Sequence, residues 1–227
     1  MIKMTKISEG LKQKYQGGAY HQTVFSSDSF VEEFLARRRA QKLQPFISDQ
    51  DKVFEFGVGT GLNLRYLKCR KRTGYDLSDQ AERYCSQYSI EHVADMNSIV
   101  GRKFNIILCH HVLEHVPDPI QTINLLNDHL DADGRILLYV PFEFTRDYRR
   151  YHPNDPNMHI YSWNALTIGN LVTTAGLTVE QVTILPYGYE QRLANLSKLG
   201  MPVFNAAIWV ARLIRPSDEI QLIARKS

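Results

Sequence analysis

The feature that most constrains this 227-residue chain is Val53-Phe54-Glu55-Phe56-Gly57-Val58-Gly59-Thr60-Gly61-Leu62-Asn63. An apolar run of strand length carries an acid, Glu55, and passes into three glycines on alternate positions. The segment after them is expected to start a helix. A strand that turns through glycines offers bare backbone N–H groups and a positive helix end to a ligand. A dinucleotide fingerprint requires G-x-G-x-x-G. Here Leu62 takes the slot of the third glycine, and Gly61 comes one residue early. That spacing suits a nucleoside cofactor without pyrophosphate better than a nicotinamide dinucleotide.

Two periodicities alternate through the chain. Residues 52–56, 72–76, 104–109 and 135–140 are short apolar or β-branched runs, and 179–185 and 219–224 read as two later strands. Helices are expected over 29–43, from Asp118-Pro119 onward, and over 162–175 with Gly176 as C-cap. The middle helix places Ile120, Ile123, Leu126 and Leu130 on one face, and Asp133-Gly134 is expected to close it before the next strand. Alternation of this kind predicts an α/β fold, a Rossmann-like doubly wound parallel sheet with helices on both faces. We expect one domain over 1–227. Residues 1–45 would form an N-terminal helical lid, 50–142 a cofactor-binding core, and 143–227 a substrate side with an insertion at about 187–217.

Composition narrows the class. With 44% hydrophobic and 22% charged residues, the chain matches soluble globular proteins. A formal net charge of +3 gives nucleic acid little electrostatic support. Basic clusters such as Arg37-Arg38-Arg39 read as solvated faces. Cys69, Cys85 and Cys109 lack C-x-x-C spacing, which predicts free thiols in a reducing compartment. The polar N-terminus has no apolar core of a signal peptide, and no stretch approaches the ~18 apolar residues of a spanning helix. A cytoplasmic location is expected.

Further residues suit a nucleoside. Asp76, with Leu77 beside it, ends the second predicted strand, where an acid can accept both ribose hydroxyls. Asp95-Met96 ends the next one, pairing a carboxylate for an exocyclic amine with an apolar side chain for a ring. The fourth strand runs into Cys109-His110-His111-Val112-Leu113-Glu114-His115-Val116-Pro117-Asp118-Pro119.

Together these pieces, with Asp133-Gly134-Arg135-Ile136-Leu137, resemble the class I S-adenosylmethionine-dependent methyltransferases. They look closest to the small-molecule branch that includes the ubiquinone- and menaquinone-pathway enzymes. The likeness covers residues 50 to 142 and rests on ordered motifs rather than on any single one. It implies a seven-stranded sheet with an antiparallel last strand. It further implies that Gly57, Gly59 and Gly61, with Glu55, hold the methionine part of S-adenosyl-L-methionine, Asp76 the ribose and Asp95 the adenine. Cys109 and His110 would border the transferable methyl, and S-adenosyl-L-homocysteine would be the product. The insertion between the last two strands departs from the family's minimal core.

A sulfonium already activates its methyl group, so the protein mainly has to align an acceptor. A general base is needed only for a weakly acidic hydroxyl or a protonated amine. His110, His111 and His115 are the candidates, since imidazole is poised for this at neutral pH. His111 and His115 fall four apart, but Glu114 stands one place before the second histidine, unlike H-E-x-x-H, and no metal is expected. Tyr15, Tyr20, Phe142, His159, Tyr161 and Trp163 are the candidate acceptor-binding residues. The expected acceptor is a small metabolite, a sugar or a lipid-linked intermediate, not nucleic acid, on a monomer or homodimer. Residues 199–215 could touch a membrane peripherally without stable insertion. Two alternatives stand beside this reading: a non-catalytic cofactor-binding protein acting through a protein partner, and a nicotinamide oxidoreductase.

Overall fold

The structure is a computed structural model that describes residues 28–142, 151, 157 and 159–227. Seven strands form one sheet: β1 (Lys52–Phe56), β2 (Lys71–Tyr75), β3 (Glu91–Val93), β4 (Phe104–His110), β5 (Leu130–Phe142), β6 (Leu177–Pro186) and β7 (Asp218–Lys226). Their order is β3-β2-β1-β4-β5-β7-β6. All pairings are parallel except those of β7, which runs antiparallel to both β5 and β6. The expected seven-stranded, mostly parallel sheet with an antiparallel last strand is what the chain builds.

Strand periodicity explains the two layers around the sheet. Ile106, Leu108, Leu137 and Tyr139 face α1 (Ser29–Leu43) and α2 (Asp79–Gln87), meeting Ala40, Leu43, Ala81 and Cys85. The alternate residues Phe54, Ile107, Ile136 and Leu138 pack with Ile123 and Leu126 of α3 (Pro119–His129), and with Ile168 and Val172 of α4 (Ala165–Thr174). Because β1 and β4 are covered on both faces, they read as continuous apolar runs. Asp118 caps α3 by accepting from the Gln121 N–H at 3.0 Å, with Pro119 in the first turn.

Two local expectations are corrected. No regular helix follows the glycines: the Leu64 and Arg65 N–H groups both bond the Gly61 carbonyl, making a single turn. The crossover is only residues 57–70, and its far end is pinned by Arg70 and Lys71 N–H bonds to the Asp51 carbonyl. A helix running back along the roughly 16 Å of β1 would need about 11 residues. Few would be left for the two loops. Likewise Asp133-Gly134 does not close α3. It lies inside β5, which starts at Leu130 opposite Phe104 and shifts register before Ile106 meets Arg135.

Sequential order reverses between β1 and β4, so the chain leaves these neighbouring strands in opposite directions. Open α/β sheets bind ligands at that point, beyond the carboxyl ends of the strands. Phe56 is the register partner of Cys109, which sets Gly57 beside His110. Residues 187–217 lie between β6 and β7 and hold α5 (Glu190–Leu193) and α6 (Met201–Ile214).

Candidate active site

The glycine loop is built for close approach. Gly57, Gly59 and Gly61 have φ of +83°, +51° and +73°. A Cβ on Gly57 would lie 2.3 Å from Val112 Cγ2, so the loop after β4 leans directly on the loop after β1. The Gly57 and Val58 N–H groups bond the Tyr75 carbonyl at 2.8 and 2.9 Å. Asp76 Oδ2 accepts from the Gly59 N–H at 2.8 Å, and its Oδ1 from the Ser78 N–H at 2.8 Å, tying the loop to the start of α2. Each carboxylate oxygen keeps a further acceptor lobe, so Asp76 can still take a hydroxyl. Leu77 is half-buried beside it against the main core.

Glu55 is sealed beneath this loop. Asn63 Nδ2 donates to its Oε1, and Arg39 Nη1 donates to Asn63 Oδ1 at 2.9 Å. Burial pushes the Glu55 carboxyl up to about 8, against the Asn63 bond and the Arg39 charge, with Asp76 adding to the rise. It therefore keeps its proton at neutral pH. Asp95 is exposed and caps the short 3-10 turn of residues 96–99 through the Asn97 N–H at 2.9 Å. Met96 is buried with Tyr75 and Val93.

Four rings form a column beside the loop. Tyr139, His110, His111 and Tyr187 follow one another at centroid distances of 5.0, 4.6 and 4.5 Å. His110, like Cys109 before it, is buried. Lys42 Nζ meets His110 Nε2 at 3.0 Å, and Arg39 Nη1 lies 3.5 Å from Nδ1. Burial, then the charges of Lys42 and Arg39, hold the His110 pKa well below the usual imidazole value. It stands as a neutral ring accepting from lysine.

His111 differs. Its φ is +56°, a left-handed conformation that costs a non-glycine residue about 1–2 kcal/mol. Its N–H donates to the Tyr139 carbonyl at 2.8 Å, and Nε2 lies 3.1 Å from Glu219 Oε2. Burial lowers its pKa, while Glu219 pulls it back up. Glu219, at the start of β7, also receives Lys42 Nζ on Oε1 at 2.7 Å. Burial by itself would raise the Glu219 carboxyl, but the His111 bond and the Lys42 charge outweigh it, and the pKa falls below the ordinary glutamate value. A cavity of about 430 Å³ opens onto Lys42, Arg39, Tyr187 and Glu219, with Phe204 and Arg212 of α6 on its far wall.

A second group gathers on the loop before α3. His115 and His159 meet edge to face at 4.9 Å, and both lie by Glu114. The Ile160 and Tyr161 N–H groups bond the Glu114 carbonyl at 2.8 and 3.2 Å, and Tyr161 Oη donates to the Pro117 carbonyl at 2.9 Å. So His159 and Tyr161 do join His115. Trp163 is buried in the core with Tyr161 stacked on it at 5.6 Å, and bridges to half-buried Phe142. Tyr15 and Tyr20, with residues 1–27 of the lid expected over 1–45, lie outside the described residues.

Among the described residues, ligand atoms converge within 4.8 Å in two trios, His110-His111-Glu219 and Glu114-His115-His159. In the first, the Lys42 ammonium already sits between His110 and Glu219, as a bound cation would.

A family model described as a methyltransferase domain matches residues 27–182. The chain belongs to that methyltransferase family. Its fold resembles that of the Burkholderia thailandensis 1,6-didemethyltoxoflavin-N1-methyltransferase, solved with its substrate and S-adenosylhomocysteine: TM-score 0.65, 16% identity, 96% of this chain and 87% of that one. The N-methyltransferase NodS of Bradyrhizobium japonicum, also with S-adenosylhomocysteine, gives 0.60 and 16% over 95% and 98%. The [4+2]-cyclase SpnF gives 0.55 and 15% over 84% and 81%, a reminder that the fold hosts other chemistry. No curated protein matches.

This methyltransferase carries site residues that motif reading passed over: Arg39, Lys42, Asn63, Tyr187 and Glu219. Arg37-Arg38-Arg39 is not one solvated face, because successive helical residues point about 100° apart. Arg37 pairs with Glu33 at the surface, Arg38 with Glu190, and Arg39 turns inward to Asn63. The signal available was Lys42 beside Leu43, three residues after Arg39, and an acid, Glu219, at the mouth of an apolar strand.

Proposed function

We propose that this chain transfers a methyl group from S-adenosyl-L-methionine to a small-molecule acceptor. The observation that carries this reading is the left-handed glycine loop at the switch point, tied to Asp76 and set against the end of β4. The residues fit the cofactor. The backbone of Gly57, Gly59 and Gly61 would take its methionine part, Asp76 with Leu77 the ribose, and Asp95 with Met96 the adenine, while Cys109 and His110 border it. Glu55 serves from below, as a protonated acid that fixes Asn63 and so the loop. When bound, the cofactor supplies a sulfonium-activated methyl group and departs as S-adenosyl-L-homocysteine.

Among the three candidate histidines, the geometry favours His111 as the group that relieves an acceptor of its proton. His110 spends its Nε2 on Lys42 and faces two cations, so a third positive charge there is disfavoured. His111 is backed by the Glu219 carboxylate, which stabilises a positive imidazolium. Lys42 keeps Glu219 ionised. His115, with His159 and Tyr161, would line the acceptor together with Phe142. The branch allied to quinone-pathway enzymes remains our preferred placement, on the Leu113 to Pro119 segment. A metabolite, sugar or lipid-linked intermediate suits this site better than nucleic acid, since three of the four cavity cations, Arg38, Lys42 and Arg212, are each matched by an acid. Isothermal titration of S-adenosyl-L-methionine into wild type and Asp76→Ala tests the reading. We expect binding that the variant weakens at least 10-fold; a wild type that takes up no cofactor sinks it.

A further inference from the structure

The helix α6 has an unusual distribution of apolar side chains. Only Phe204 is buried on it, edge to face with Phe34 of α1 at 4.9 Å. The outward residues Met201, Val203, Trp209, Val210, Leu213 and Ile214 are all exposed, Trp209 by 64% and Ile214 by 82%. A helix that is apolar on its outer side as well as its inner one has to meet something other than water. No described helix is long and apolar enough to cross a membrane, and α6 spans only 14 residues.

Charge selects the occupant. From Gln191 to Ser217 the chain holds Arg192, Lys198, Arg212 and Arg215 and no acid. Arg212 is matched by Asp218 at 2.7 Å. Arg192, Lys198 and Arg215 are exposed, bracketing the apolar helix at both ends. A second copy seated on α6 by a two-fold axis would set this acid-free basic segment against itself. An anionic lipid surface offers the opposite: hydrocarbon for Trp209, Leu213 and Ile214, and negative headgroups for the three cations.

We propose that α6 is an interfacial helix that docks this methyltransferase onto anionic bilayers. Its inner face carries Phe204, Ile208 and Arg212 on the wall of the cavity that reaches Lys42 and Glu219. Docking therefore holds that cavity next to the lipid.

The test uses the full chain with vesicles of phosphatidylglycerol and phosphatidylcholine, against pure phosphatidylcholine. The expected result is co-flotation with the anionic vesicles and a blue shift of emission that disappears in Trp209→Phe. Leu213→Asp should weaken vesicle binding at least 10-fold, and so should high salt. Cofactor titration by calorimetry should be unchanged in Leu213→Asp, which also shows that the variant is folded. Failure to float with anionic vesicles, or equal binding to neutral ones, overturns the proposal. So does a Trp209 that is already blue-shifted and quencher-inaccessible in the lipid-free monomer, since another part of the chain would then cover the helix. A concentration-dependent dimer that buries Trp209 overturns it as well. Loss of cofactor binding in wild type would strike the methyltransfer reading and leave the docking result standing.

Discussion

Glu55 at the end of β1 and Glu219 at the start of β7 are both almost fully buried, yet their surroundings drive them opposite ways. Glu55 meets an amide and a distant guanidinium, and burial wins, pushing it up to about 8. Glu219 meets a lysine at 2.7 Å and a histidine at 3.1 Å, and they win, taking it below the ordinary value. One is a neutral strut under the cofactor loop; the other is an anion set behind His111. Burial alone does not decide the state of a carboxyl. The partners within hydrogen-bond reach do.

The largest effect that could break this contrast is removal of one charge. Glu219→Ala strands Lys42 and should cost about 3–5 kcal/mol in urea unfolding, whereas Glu55→Gln, which imitates the protonated acid, should cost under about 1.5 kcal/mol. Equal losses would mean that both acids are charged. Next comes chemistry: His111→Asn should lower kcat roughly 100-fold with KM little changed, and His110→Asn should not remove the same limb of the pH profile. Gly57→Ala should cost at least about 1–2 kcal/mol from its left-handed backbone, before the overlap with Val112.

Linkage sharpens the contrast further. Because the folded Glu55 holds its proton longer than the unfolded one, its contribution is full below pH 4.5 and is lost as pH rises toward about 8. That gives a slope of up to about 1.4 kcal/mol per pH unit, which Glu55→Gln should flatten. Glu219 has the opposite sign: its contribution is present above pH 4.5 and is lost as pH falls through its lowered value. Glu219→Gln should therefore flatten only the acid limb. The smallest effect concerns metals. Dialysis against chelator should leave activity unchanged, and zinc that resists it would assign an ion to Glu114, His115 and His159.

The cofactor half was readable because its parts are adjacent in sequence. A turn through Gly57, Gly59 and Gly61, and an acid closing β2, are dictated by local backbone needs. Even there the reading overreached in one place: the crossover after Gly61 was too short for a helix. The acceptor half was hardly readable. Lys42 and Glu219 lie 177 residues apart and meet only because α1 crosses the sheet near the mouth of β7. Nothing in the run Arg37-Arg38-Arg39 says that only the third turns inward.

By itself, then, the sequence determined the α/β alternation, the switch-point loop and the methyltransferase family, because period, glycine spacing and motif order are one-dimensional properties. Tertiary structure alone decided that Glu219 backs His111, which buried acid is charged, and that α6 stays exposed. Those depend on distances of about 3 Å between distant residues and on which surfaces are left uncovered. No local pattern encodes either.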